Sequence, residues 1–116
     1  MEVKPMWKIE KGRITGTTTN DFAAALTWGC GECREKTIHL VNTDAANSLD
    51  YKLLARYSND QTSGKEDELV AETALAAGAD ARFTYNGQYH QLILQVESTV
   101  DDTHATFEIN YVGQGA

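Results

Sequence analysis

The chain has 116 residues, 41% of them hydrophobic and 23% charged, which suits one soluble globular domain and excludes a disordered or fibrous chain. Its 10 basic and 17 acidic residues leave a net charge of −7, and a surface of that sign repels phosphate backbones, so nucleic acid is not expected as a partner. No apolar run approaches the roughly 18 residues of a membrane helix, and the first residues lack a secretory apolar stretch, so no membrane partner is expected either.

Residues 1–20 read as an N-terminal arm or edge strand ahead of a single domain over residues 21–116. Lys4, Lys8, Lys11 and Arg13 outweigh Glu2 and Glu10 there, so the arm is locally positive, and Trp7 and Ile9 are its strong apolar anchors. Those two side chains are candidates for contact with a partner, because Trp is favoured as a binding anchor. The competing reading makes them part of the first or last strand of the domain itself.

The remainder reads as β structure. Residues 22–28 are a strand candidate, and Thr37 to Val41 is a short β-branched run followed by the turn-prone Asn42-Thr43-Asp44. Leu49, Tyr51, Leu53, Ala55 and Tyr57 alternate with mostly polar residues, as do Leu92, Leu94 and Val96, then Ala105, Phe107, Ile109 and Tyr111. Strands with one apolar and one wet face imply antiparallel sheets around a shared core. Asn86-Gly87 suits a type I′ hairpin turn, and Thr99 to Thr103 reads as a hairpin loop joining the last two strands. Residues 58–67 form the long polar loop. Residues 66–81 are ambiguous, because Leu69, Val70, Thr73, Ala74 and Ala77 also fit helical spacing. The strand alternative places one strand at 68–72, a turn at Ala76-Ala77-Gly78 and another strand at 79–85. The expectation is all-β: an antiparallel, jelly-roll-like sandwich of about seven or eight strands.

Trp28-Gly29-Cys30-Gly31-Glu32-Cys33 holds the one motif that looks like chemistry. A thioredoxin-type site needs a helix after the first cysteine to stabilise its thiolate, whereas Arg34 to Val41 reads as a charged turn and a strand. The single proline, Pro5, lies upstream and cannot supply a downstream cis-proline. Zinc would need further ligands from His39, His90 and His104, which lack paired spacing. Cys30 and Cys33 are therefore expected to close a tight turn, as thiols or as a structural disulfide.

Other arrangements are thin. Ser48, Ser58, Ser63 and Ser98 sit in no nucleophile elbow. Asp101 and Asp102 read as solvated turn carboxylates, and Asp60, Glu66, Asp67 and Glu68 do not follow calcium-loop spacing. Residues 12–16 lack the pattern of a phosphate loop. Trp7 and Trp28 could build a carbohydrate platform, though two tryptophans in a small β domain usually anchor a core or interface. No catalytic residue, cofactor or metal is expected.

The segments Lys36 to Thr43, Asn47 to Leu53, Glu68 to Ala79, Leu92 to Val100 and His104 to Thr106 resemble small structural proteins from tailed-bacteriophage gene clusters. The resemblance spans residues 36–112 and implies a compact sandwich that serves as a capsid decoration or other accessory protein. It implies a virion location, viral capsid or tail proteins as partners, and a homo-oligomer as one possible state. The resemblance supplies no catalytic residue. The alternative from a different class is a module that binds carbohydrate or a cell-surface ligand through Trp and Tyr side chains.

Overall fold

The computed structural model describes residues 8–31, 33–58, 61–62, 64–86 and 89–115, which form eight strands. In chain order these are β1 (Lys8–Thr17), β2 (Ala23–Gly29), β3 (Glu35–Asn42), β4 (Leu49–Arg56), β5 (Asp67–Leu75), β6 (Asp80–Asn86), β7 (Gln91–Ser98) and β8 (Thr106–Gly115). They build two four-stranded antiparallel sheets: a front sheet in the order β1-β8-β3-β6 and a back sheet in the order β2-β7-β4-β5. That order is the double Greek key of a jelly roll. The all-β expectation holds, and the ambiguous 66–81 segment is strand β5, a turn and the start of β6.

The alternation read from the sequence maps onto burial. On β4, Leu49, Tyr51, Leu53 and Ala55 point inward, and on β7 Leu92, Leu94 and Val96 meet them from the same sheet. Phe107 and Ile109 on β8, with Ile38 and Leu40 on β3, close the core from the front. Fully burying each large aliphatic side chain contributes about 1.5–3 kcal/mol, so this contiguous cluster dominates the favourable side of folding. Tyr57 breaks the pattern at 60% exposure, because β4 ends at Arg56 and the chain has left the sheet.

Two expected hairpins are not formed. β6 pairs with β3 in the front sheet, and β7 pairs with β2 and β4 in the back sheet. The chain after Asn86 therefore crosses between sheets; Gly87 lies outside the described residues. Residues 99–103 also carry a crossing, from β7 to β8. A Val100–Thr103 bridge folds them into their own tight turn, with Asp102 at φ 63°. Turn chemistry specifies a reversal, and in a jelly roll most reversals change sheets. Only β4 and β5, of the consecutive pairs, lie side by side.

Between β5 and β6, Gly78 adopts φ +76°, where a side chain would be strained, and its amide donates to the Asn42 carbonyl at 2.9 Å. Asn42 is fully buried. Its Nδ2 donates to the carbonyls of Asn47 and Leu75 at 2.9 and 3.0 Å, and its Oδ1 accepts from the Asp44 amide at 3.0 Å. One amide side chain thus ties three loop and strand ends together, satisfying main-chain groups that burial would otherwise leave unpaired.

Of the expected arm, residues 8–17 are β1, an edge strand of the front sheet, paired with β8 from Lys8–Gly115 to Thr17–Thr106. Glycines on these strands make room for rings: a Cβ on Gly16 would lie 2.8 Å from Phe107 Cζ, and one on Gly113 would lie 2.5 Å from Trp28 Cζ2.

Candidate functional site

The cysteine turn lies at one end of the sandwich. Cys30 follows β2, and the Cys33 amide donates to the Cys30 carbonyl at 2.9 Å, closing the tight turn read from the sequence. β3 begins at Glu35, so a strand and not a helix follows the motif. Both thiols are free and buried. Cys30 Sγ donates to the Tyr89 carbonyl at 3.6 Å, whereas Cys33 Sγ donates to Glu10 Oε2 at 3.1 Å. Trp28 Nε1 donates to the same Glu10 oxygen at 3.2 Å, so β1, β2 and the turn share one carboxylate. Lys36 is 1% exposed and projects into this end of the core.

Sequence reading missed Glu10 and Lys36 as members of this cluster. The available signal was that both charged residues fall on the inward phase of their strands. Their presence sets the thiol chemistry. Burial first, then the Glu10 hydrogen bond and charge, push the Cys33 thiol up to about 11. Burial also raises Cys30, against the opposing pull of Lys36. Nucleophilic or redox-active cysteines need a stabilised thiolate, and this environment favours the protonated thiol.

The histidines do not converge. His39 Nε2 bonds Asp80 Oδ2 at 2.7 Å on the front face, which holds the Asp80 carboxyl below its usual range. His104 Nδ1 lies 2.9 Å from Ser98 Oγ, a spacing that suits a nucleophile and base. Ser98 is however buried and also bonds Thr18 Oγ1 at 2.8 Å, while that threonine oxygen accepts from the Ala105 amide at 2.9 Å. Thr18 and Ser98 form a buried latch between β7 and the loops flanking β1 and β8, with the exposed His104 at its outer end and no access for a substrate at the serine. Asp102 pairs with Asn20 through two hydrogen bonds of 2.8 and 3.0 Å, which makes it part of a loop clasp. Among the described residues, the one carboxylate cluster of metal-binding size is Asp50, Glu72 and Glu97, with oxygens within 4.8 Å of one another on the outer back sheet.

An open depression of about 580 Å³ lies on the outer front sheet, where Lys11, Arg13, Thr37, His39, Asn110 and Val112 line it. Arg13 is paired with Glu108. Ile9 and Val112 stand exposed beside it, at 61% and 46%. Of the two expected contact residues, Ile9 thus sits at the rim of this face; Trp7 lies outside the described residues. Trp28 is 5% exposed with its indole nitrogen bonded to Glu10, so it belongs to the core and not to a carbohydrate platform. Charge is divided between the layers. Strands of the front sheet carry five basic and four acidic residues, whereas those of the back sheet carry two and five.

No family model matches the sequence, and no curated protein matches it. The fold has clear structural counterparts. A protein of Bacillus endospore appendages, described as disulfide-linked pili, superposes with a TM-score of 0.59 at 13% identity, over 95% of this chain and 89% of that one. The Yersinia pseudotuberculosis-derived mitogen gives 0.57 at 10% identity, over 88% and 84%. The SPBc2 prophage-derived protein YomS gives 0.55 at 11% identity, over 97% and 100%. At these identities the likeness establishes a shared small β-sandwich fold, one that a prophage-derived protein also adopts.

Proposed function

We propose that the chain is a non-enzymatic accessory or structural protein of a tailed-phage particle, which docks on a capsid or tail protein through the outer front sheet. The observation that carries this reading is the open front face itself. It is broad and shallow, flanked by exposed Ile9 and Val112, and the least acidic face of a strongly acidic molecule. Exposed apolar groups rimmed by polar ones suit a macromolecular surface. The end-to-end likeness to a prophage-derived protein and the resemblance over residues 36–112 point the same way.

The test is binding of the purified protein to particles that lack it. Wild type should bind saturably, and Ile9→Glu with Val112→Glu should lose at least about tenfold in affinity, the equivalent of 1.4 kcal/mol. Undiminished binding by the double variant would remove the front face from the reading. One observation favours a second reading: Tyr57 is exposed, and its ring lies 5.9 Å from that of Tyr89, a pair of the kind that stacks on sugars. A glycan array separates the two, since particle docking predicts no retained sugar.

A further inference from the structure

We propose that copies of this chain associate head to tail, with the free edge of β1 in one copy docked on the free edge of β5 in the next. β1 ends the front sheet and β5 ends the back sheet, so each has one side whose main-chain groups no described strand occupies. Such an edge is a ready template for another strand. The two are also matched in length, at 10 and 9 residues, a span of roughly 30 Å at about 3.3 Å per residue.

Charge selects the pairing. β1 carries Lys8, Lys11 and Arg13, of which Arg13 is held by Glu108, and its lone acid, Glu10, is committed to Trp28 and Cys33. β5 carries Asp67, Glu68 and Glu72 and no basic residue. Glu72 stands in the carboxylate cluster with Asp50 and Glu97, whose oxygens lie within 4.8 Å of one another. Lys11 and Glu68 are exposed and form no ion pair within the described residues. The other two edges lack such contrast, because β2 has no charged residue and β6 pairs its Asp80 with its own Arg82 at 3.7 Å. Self-pairing of β1 with β1 would oppose basic residues, and of β5 with β5 acidic ones. The complementary combination is therefore heterologous. Contacts of that type propagate into rings or open fibres instead of stopping at a dimer.

The inference concerns the purified chain alone and does not depend on which particle the protein serves. Sedimentation velocity should show mass rising with protein concentration at about 0.02 M salt and falling toward the monomer at about 1 M, where the screening length is only about 3 Å. Lys11→Glu and Glu68→Lys, each with a wild-type circular dichroism spectrum, should remain monomeric at low salt. Mixing them in equal amounts should restore assembly, because each reversed edge then meets its complement. A wild-type protein that stays at 12.8 kDa under every condition would overturn the proposal. So would variants that assemble like wild type, or a mixture that fails to assemble. If either variant loses its native spectrum, the milder Lys11→Gln and Glu68→Gln replace the pair, and each should shift assembly to higher protein concentration; assembly like wild type by both would overturn the proposal.

Discussion

Gly12 and Tyr111 face each other across β1 and β8, and the tyrosine ring occupies the space that a side chain at residue 12 would need: a Cβ there would lie 2.7 Å from Cε1. The ring continues to Trp28, whose centroid is 5.0 Å away, and so to the Glu10 carboxylate. The glycine is what lets an aromatic layer close this end of the sandwich beneath an edge strand.

Gly12→Ala should therefore destabilise the protein. The unfolded-state benefit of replacing glycine is about 0.4–1 kcal/mol, whereas overpacking costs about 1–3 kcal/mol, so the steric effect wins. Gly29→Ala is the control, because a Cβ there meets nothing within 4 Å. Urea denaturation should show a lower midpoint for the first and an equal or higher one for the second. Equal midpoints for Gly12→Ala and wild type would show that Tyr111 has room to move.

The thiols predict an alkaline dependence. The Cys33 pKa is raised from 9.0 to about 11 in the folded protein, so between these values the unfolded state releases a proton that the folded state retains. Stability from this group is full below about pH 9 and is lost as pH climbs toward 11. Cys33→Ala should flatten that part of the stability profile. Glu10→Gln should lower the Cys33 pKa, seen as faster iodoacetamide labelling of the native protein at pH 8.5. Rapid labelling of wild-type Cys33 at neutral pH, or efficient insulin reduction abolished by Cys30→Ser, would contradict the account of these groups as structural thiols.

Glu97 carries the opposite expectation from most carboxylates. Burial, then hydrogen bonding and repulsion from Glu72, raise its pKa, so ionising it works against the folded state as pH rises through the folded value. Glu97→Gln should raise the melting temperature at pH 7 and leave it nearly unchanged at pH 4. A lower melting temperature at pH 7 would mean that the charge has a favourable partner.

Asp44 shifts the other way. Its Oδ2 accepts from the amides of Asn47 and Ala46 at 2.8 and 3.1 Å, and these bonds lower its pKa below 3.8. Its contribution is present above that value and is lost as pH falls through the lower, folded one. Asp44→Asn removes this titration, so acid unfolding monitored by fluorescence should be shallower below pH 4 than in wild type.

The strands were legible because the core is one layer of inward residues on each sheet, which forces period two on β4, β7 and β8. The β5–β6 turn was legible through Gly78. The sheet order was not, because Asn86-Gly87 and residues 99–103 encode local reversals, and which sheet the chain enters next depends on core contacts far along the sequence. The cysteine turn was visible in its spacing, yet its character was hidden. Glu10 is distant in sequence, and only the β1–β8 pairing brings it to Cys33 and Trp28. The front face was invisible for the same reason, since Lys11, Thr37, His39 and Asn110 meet only through strand order.

The measurement that bears most directly on the particle assignment is quantitative mass spectrometry of phage particles purified from a lysate that expresses this chain. The account predicts that the protein co-sediments with assembled particles in a fixed ratio to the major capsid or tail protein, and that the Ile9→Glu, Val112→Glu variant stays in the supernatant. Wild-type protein left wholly in the supernatant of intact particles would contradict it.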